Sequence, residues 1–366
     1  MQADPVELNI QDVAEYGDAD EPRAAEGDAS RAPLLGHLVG IQPDMRPTDY
    51  ATADHFRAKL GGYLDEVCSR GWLSERAVVI FPEHIGTWLV ALGESEAAIQ
   101  APTIEGAMRA LVRRHPLAFA ATMLGAALSR PASDLARYSL FRMKARRMAM
   151  VHQQTFAALA RDYGVTIVAG SILLPSPRIA NGRLSSGGGP LYNVAVVYGP
   201  DGRAHEQLAR KVYPISSELP FTAKGTADQL PIYHTPLGKL AVLICADSWY
   251  PDTYRAIARQ GAEFVAVPSF LTGDSVWDQP WRGYDGSAAP EGLRPEELDG
   301  LTEGQAWLRY ALAGRLPQSG IRHGMNVFLR GQLWDQGSDG HTIIVQNGRI
   351  IEAAGVNGAA LIDVVI

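Results

Sequence analysis

Cysteine is the scarcest signal in this chain: only Cys68 and Cys245 occur among 366 residues. That excludes a disulfide framework and a cysteine-based zinc cluster, and it suits a reducing cytoplasm. Long apolar runs are missing too, so no segment reads as a membrane span. The N-terminus lacks a basic start followed by an apolar core, so no secretory signal is expected. Positive charge is in deficit, with a net charge of −7 and a pI near 5.7, which argues against general nucleic-acid binding. The glycines of Ser185-Ser-Gly-Gly-Gly189 form neither G-x-G-x-x-G nor a phosphate loop closed by G-K-S/T. His205-Glu206 opens like a zincin motif, but Ala209 stands where the second histidine must be.

What is present is enough apolar residue for a large core. At 46% hydrophobic, 366 residues fit one large α/β domain or two ordinary ones. Residues 1–33 are acidic and nearly free of aromatics, and read as a poorly ordered leader before a single domain over 34–366. Residues 51–70 repeat Phe56, Leu60, Tyr63, Leu64 and Val67 at helical spacing. Cys68 lies on that helix and reads as core packing. Residues 105–150 carry nine arginines and lysines against Glu105 and Asp134, a surplus of +7 inside a chain of −7. An apolar stretch, Pro116 to Leu128, runs between the basic clusters. Two readings stand for this segment: an interface between copies, or peripheral contact with an anionic membrane surface.

Bounded apolar runs mark buried strands. They include Leu34 to Ile41, Ala77 to Phe81, Val165 to Leu174, Leu191 to Tyr198, Leu240 to Ile244 and Glu263 to Pro268, the last ending at Ser269. Asn347-Gly348 predicts a tight hairpin between the closing strands. Three runs end at reactive side chains. Ala77-Val-Val-Ile-Phe81 leads to Pro82-Glu83, and ligands of open α/β sheets gather at the carboxyl ends of strands. Arg210-Lys211-Val follows the hairpin of residues 191–210. Leu240-Ala-Val-Leu-Ile244 runs into Cys245, with Pro251 fit to open the next helix. A thiol in that bend is either a structural cysteine or a nucleophile close to unpaired backbone N–H groups.

Together, Phe81-Pro-Glu83, Arg210-Lys211-Val and Ile244-Cys245-Ala-Asp247 resemble the nitrilase, or carbon–nitrogen hydrolase, superfamily over roughly Leu34 to Val356. Tyr192-Asn193, Gly199-Pro-Asp-Gly202 and Gly261-Ala262 add to the match. The resemblance implies an α/β four-layer α-β-β-α sandwich that pairs into a homodimer or larger homo-oligomer, with the 105–150 segment as a basic helical insertion. It implies a Glu-Lys-Cys triad of Glu83, Lys211 and Cys245 acting through an acyl-enzyme, with no metal and no organic cofactor. Glu218 falls where a second glutamate often helps orient substrate or the catalytic pair. Ala246, Asp247 and Ser269 are the further candidates for substrate contact. Classical nitrilases carry tryptophan and glutamate after the cysteine, whereas Ala246-Asp247 stand here, closer to the amidase and carbamoylase branches. Met325 also replaces a common glutamate. A small-molecule amide is therefore favoured over a nitrile. The alternatives are nitrile hydrolysis, acyl transfer to an amine, and a non-catalytic scaffold that docks through residues 105–150. The aromatic loop at 277–284 is expected to shape the substrate entrance or an interface.

Overall fold

The computed structural model describes residues 8–12, 34–129, 132–286, 288–294, 300–353 and 358–366. Strand Val78–Phe81 is apolar at every position because both of its faces are covered. Side chains alternate along a strand. Val78 and Ile80 therefore join the core of Leu240, Val265 and Val327, while Val79 and Phe81 face Phe56, Leu60 and Phe156. Among the described residues this strand sits inside a six-stranded sheet. Its order is Ala360–Val365, His37–Gln42, Val78–Phe81, Thr166–Pro175, Leu191–Tyr198 and Ala209–Arg210. A seven-stranded sheet runs Leu8–Asp12, Arg349–Ala353, Ile343–Gln346, His323–Phe328, Phe264–Ser269, Lys239–Val242 and Ile232–His234. Each sheet has a parallel centre with antiparallel edges. The sheets pack on each other, and Gly40 sets their closest approach: a Cβ there would lie 2.8 Å from the Met325 sulfur.

Eight α-helices are described. They are α1 (Ala53–Ser69), α2 (Glu96–Ile99), α3 (Ile104–Arg114), α4 (Pro116–Ser129), α5 (Leu135–Tyr163), α6 (Pro251–Arg259), α7 (Glu303–Tyr310) and α8 (Leu312–Arg315). Helix α1 starts where Thr52 Oγ1 accepts the His55 N–H, and α5 starts where Asp134 accepts the Arg137 N–H. Gly164 ends α5 at φ 65°, the left-handed C-cap that glycine adopts without strain. Helices α1 and α5 cover the outer face of the six-stranded sheet. Tyr254 and Ile257 of α6 and Leu312 of α8 pack into the core of the seven-stranded sheet. No helix among the described residues is long and apolar enough to cross a membrane.

The Asn347-Gly348 turn forms as expected, with φ 51° and 80° joining Ile343–Gln346 to Arg349–Ala353. Three expectations change. Cys68 is exposed rather than core, because the buried stripe of α1 runs through Phe56, Leu60, Leu64 and Val67 and position 68 lies a third of a turn away. Residues 303–316 read from sequence as one helix, but it breaks at Ala311, and Gly314 permits the break because a Cβ there would meet the Arg309 carbonyl oxygen at 1.7 Å. Of the aromatic loop 277–284, Trp277 and Trp281 are buried in the core rather than set at an entrance, while Tyr284 is half-buried against Trp249 and Tyr250. Trp281 stacks on Trp249, and the Trp277 indole N–H donates to Glu352 at 2.9 Å. Of the stretch expected to be an acidic leader, Leu8–Asp12 forms an edge strand on Arg349–Ala353; the rest of 1–33 lies outside the described residues.

Candidate active site

Glu83 is positioned by the backbone beneath it. Strand Thr166–Pro175 bulges between Val168 and Ser171, with Gly170 at φ 54°. A Cβ on Gly170 would lie 2.0 Å from the Pro82 carbonyl oxygen, so only glycine lets the Pro82–Glu83 bend come this close. Ser171 Oγ then accepts the His84 N–H at 2.9 Å, and its carbonyl accepts the Gly86 N–H at 3.0 Å. His84 is held at φ 60°, strained for a non-glycine residue. The loop is thereby fixed with the Glu83 carboxylate buried.

Lys211 reaches the same point from the edge of the six-stranded sheet. Its N–H donates to the Asn193 carbonyl at 2.9 Å, and its own carbonyl accepts the Gly225 N–H at 2.8 Å. The ammonium, 1% exposed, donates to Glu83 Oε1 at 2.8 Å and to Glu218 Oε2 at 2.5 Å. Asn193 Nδ2 bonds both glutamates, each at 2.9 Å, and the Ile215 N–H donates to Glu218 at 3.1 Å. Burial by itself would lower the Lys211 ammonium, but Glu218, Glu83 and Cys245 outweigh it and hold the pKa well above the lysine norm. Burial likewise pushes Glu218 up, yet Lys211 and His84 pull its carboxyl below the ordinary range. Lys211 and Glu218 are thus charged at neutral pH.

Cys245 ends the run Lys239–Val242 through Leu243 and Ile244, and sits at φ 51° at the head of a short 3-10 turn, Cys245–Trp249. Helix α6 then begins with Pro251. Burial, reinforced by the Glu83 carboxylate, raises the Cys245 thiol well above its norm, while Lys211 works in the opposite direction. The thiol is therefore protonated at neutral pH, with Glu83 in hydrogen-bonding reach as its acceptor. Its Sγ lies 3.9 Å from the Phe270 carbonyl oxygen. Phe270 in turn helps line a cavity of about 750 Å³ into which Glu83, Lys211 and Glu218 open.

The structure brings Glu83, Lys211, Cys245 and Glu218 together. It places the other three candidates differently. Asp247 is fully buried and aimed at backbone: Oδ1 accepts the Val212 and Tyr213 N–H groups at 2.9 and 2.8 Å, and Oδ2 accepts the Ile244 N–H at 3.1 Å. Burial pushes its pKa up to about 7, with those donors and Lys211 resisting. Asp247 thus clasps the segment after Lys211 to the bend before Cys245. Asp247→Asn, with one acceptor oxygen, should lower stability by about 1–3 kcal/mol and reduce kcat more than it raises KM. Thermal melts with steady-state kinetics check this; a pure KM effect at unchanged stability would favour substrate contact instead. Ser269 is buried at the end of Phe264–Ser269, its carbonyl accepting the Leu329 N–H and its Oγ unpartnered among the described residues. Ala246 is buried beside Cys245; the three, like Cys245 itself, lie behind the residues that line the cavity.

Two residues of the cluster were given no site role from sequence, Asn193 having counted only as part of the Tyr192-Asn193 match. Asn193 is a buried amide in the otherwise apolar strand Leu191–Tyr198, a departure that could have marked it. His84 faces Glu218 at 3.6 Å and Glu83 at 3.9 Å. Glu83, His84 and Glu218 could in principle ligate a cation, their donor atoms lying within 4.8 Å of one another. The Lys211 ammonium already bonds both carboxylates and offsets one of their two charges, so a cation there would have to compete with it for the same oxygens.

The family profile of carbon-nitrogen hydrolases matches residues 77–285. Among curated proteins, the chain is 29% identical over 136 residues to a deaminated glutathione amidase of Synechocystis sp., covering 34% of this chain and 46% of that protein. It is 33% identical over 113 residues to a nitrilase of Pyrococcus abyssi, covering 31% and 37%. These matches span less than half the length of either relative. Among solved structures, it superposes on a variant amidase from Nesterenkonia sp. AN1 that carries the acetamide moiety of fluoroacetamide on its active-site cysteine. That match has a TM-score of 0.54 at 16% identity and covers 93% of each chain. At that identity the likeness is one of fold.

Proposed function

Because this chain belongs to the carbon-nitrogen hydrolase family, we propose that it hydrolyses a non-peptide amide through an acyl-enzyme on Cys245. The observation that carries the reading is the meeting of Glu83, Lys211 and Cys245, from three separate strand ends, in one buried cluster. Glu83 takes the thiol proton as Sγ attacks the amide carbon. The Lys211 ammonium and the Ala246 backbone N–H stabilise the oxyanion. The C–N bond then breaks, and the proton held by Glu83 leaves with the nitrogen as ammonia. Water, deprotonated by Glu83, attacks the thioester carbon; the carboxylic acid departs and the proton returns to Sγ. Glu218 and Asn193 hold Lys211 and Glu83 in register. Ammonia release from a panel of amides, lost in Cys245→Ala, tests the scheme; amide turnover retained by that variant would refute it.

The order of helices, sheet, sheet and helices supports the four-layer α-β-β-α sandwich as one domain over 34–366, with α3, α4 and the start of α5 as a basic addition to it. We read α4 as a self-association face. Leu117, Leu124 and Leu128 are 85%, 66% and 82% exposed, and the +7 segment around them complements a remainder of −14 on a second copy. Light scattering should give a multiple of the chain mass that collapses in Leu124→Glu/Leu128→Glu. A monomeric wild type that instead floats with anionic vesicles would point to membrane contact.

A further inference from the structure

The cavity above the Lys211 cluster is far larger than a small amide requires. Its volume of about 750 Å³ falls in the range that encloses drug-sized ligands. Its inner wall is apolar: Trp88, Leu140, Phe141, Leu173 and Phe221 are all buried. Trp88 and Phe270 stand edge to face at 6.5 Å beside His84, and Phe141 stacks on Phe221 at 6.0 Å. Charge other than the Lys211 cluster is confined to the outer rim. There Arg109 pairs with Glu105, and Arg137 pairs with Asp134 while lying over the Phe221 ring. Arg109, Arg113 and Arg137 are all exposed. Inside the cavity, then, an acyl chain would meet aromatic and aliphatic surface, and a carboxylate on that chain would lose its water without gaining a buried cation.

We propose that the acyl group delivered to Cys245 is bulky and apolar, so that the substrates are medium-chain or arylalkyl primary carboxamides. This rests on the amide-hydrolase reading and goes beyond it by assigning the acyl side. The cavity wall formed by α3, α4 and the start of α5 belongs to the basic segment, with Met108, Phe119 and Leu140 among its lining residues. The segment so shapes the acyl-binding wall. Selectivity should grow with each methylene enclosed, by up to roughly fourfold per group.

The test compares acetamide, hexanamide, 3-phenylpropanamide and adipic acid monoamide, the last matching hexanamide in length but ending in a carboxylate. The expected result is a kcat/KM for hexanamide and 3-phenylpropanamide at least about tenfold above acetamide and above the monoamide. Met108→Lys, on the half-exposed side of α3, should cut the hexanamide-to-monoamide ratio by at least about tenfold. Calorimetry on Cys245→Ala reads the cavity without turnover: hexanamide should bind more tightly than the monoamide and with a negative heat-capacity change. Cys245-dependent turnover that favours acetamide or the monoamide overturns this inference and leaves the hydrolase reading intact. No Cys245-dependent ammonia from any of the four overturns the hydrolase reading instead. In that case preferential binding of hexanamide still supports the apolar cavity, and no preference refutes it.

Discussion

Cys245→Ala should lower kcat/KM for amide hydrolysis by at least about 10⁴-fold, the scale on which loss of a nucleophile acts when its partners have no other route to a covalent intermediate. Folding should be nearly unaffected. The thiol is 5% exposed, and its contact with the Phe270 carbonyl oxygen is a long one, at 3.9 Å. Alanine therefore removes little packing and strands no strong hydrogen bond. The left-handed backbone at φ 51° is as costly for alanine as for cysteine, so that strain cancels between the two. Melting curves and steady-state rates on the same preparation separate the two effects. Iodoacetamide should modify and inactivate the wild type at Cys245; the exposed Cys68 will also react, so a Cys68→Ser background isolates the site. A Cys245→Ala enzyme that still turns over amides, or one that fails to fold, would contradict this account of the residue.

Lys211→Met should be the most damaging single change to stability, at about 3–5 kcal/mol, and should lower kcat by at least about 10²–10³-fold through loss of an oxyanion donor. Methionine is close to lysine in length and fits an apolar slot, so packing is not the cause. The cause is two carboxylates, Glu83 and Glu218, left buried and facing each other without the ammonium that lies 2.8 and 2.5 Å from them. The pH dependence gives an independent check. Lys211 and His84 depress the Glu218 carboxyl in the folded state. Its contribution to stability is therefore present above the ordinary carboxylate range and is lost as pH falls through the lowered value. Lys211→Met should erase that contribution, so the stability gap between wild type and variant should narrow in acid, where both glutamates can take up protons. Adding Glu218→Gln to Lys211→Met should recover part of the stability and none of the activity. Equal stability of wild type and Lys211→Met at pH 7 would show that the three charges do not depend on one another.

The sequence by itself determined the strands, the reactive side chains at their ends and the likeness to one family. Period-2 and fully apolar runs are set by local burial, so Val78–Phe81, Leu191–Tyr198 and Phe264–Ser269 were legible from residue type alone. Glu83, Lys211 and Cys245 each stood out as a polar residue at the end of such a run. Their convergence was not legible, because 128 residues separate Glu83 from Lys211 and only sheet packing joins them. The tertiary structure alone decided the direction of side chains. It turned Asp247 from the cavity to the backbone N–H groups of Val212, Tyr213 and Ile244. It drew Asn193 into the glutamate pair and put Cys68 in solvent. It also folded Trp277 and Trp281 into a core that a polar-looking loop had hidden. The physical reason is the same in each case. Alternation along the chain states which residues avoid water, whereas the partner of a buried polar group is set by whatever distant backbone or side chain the packing brings within hydrogen-bonding distance.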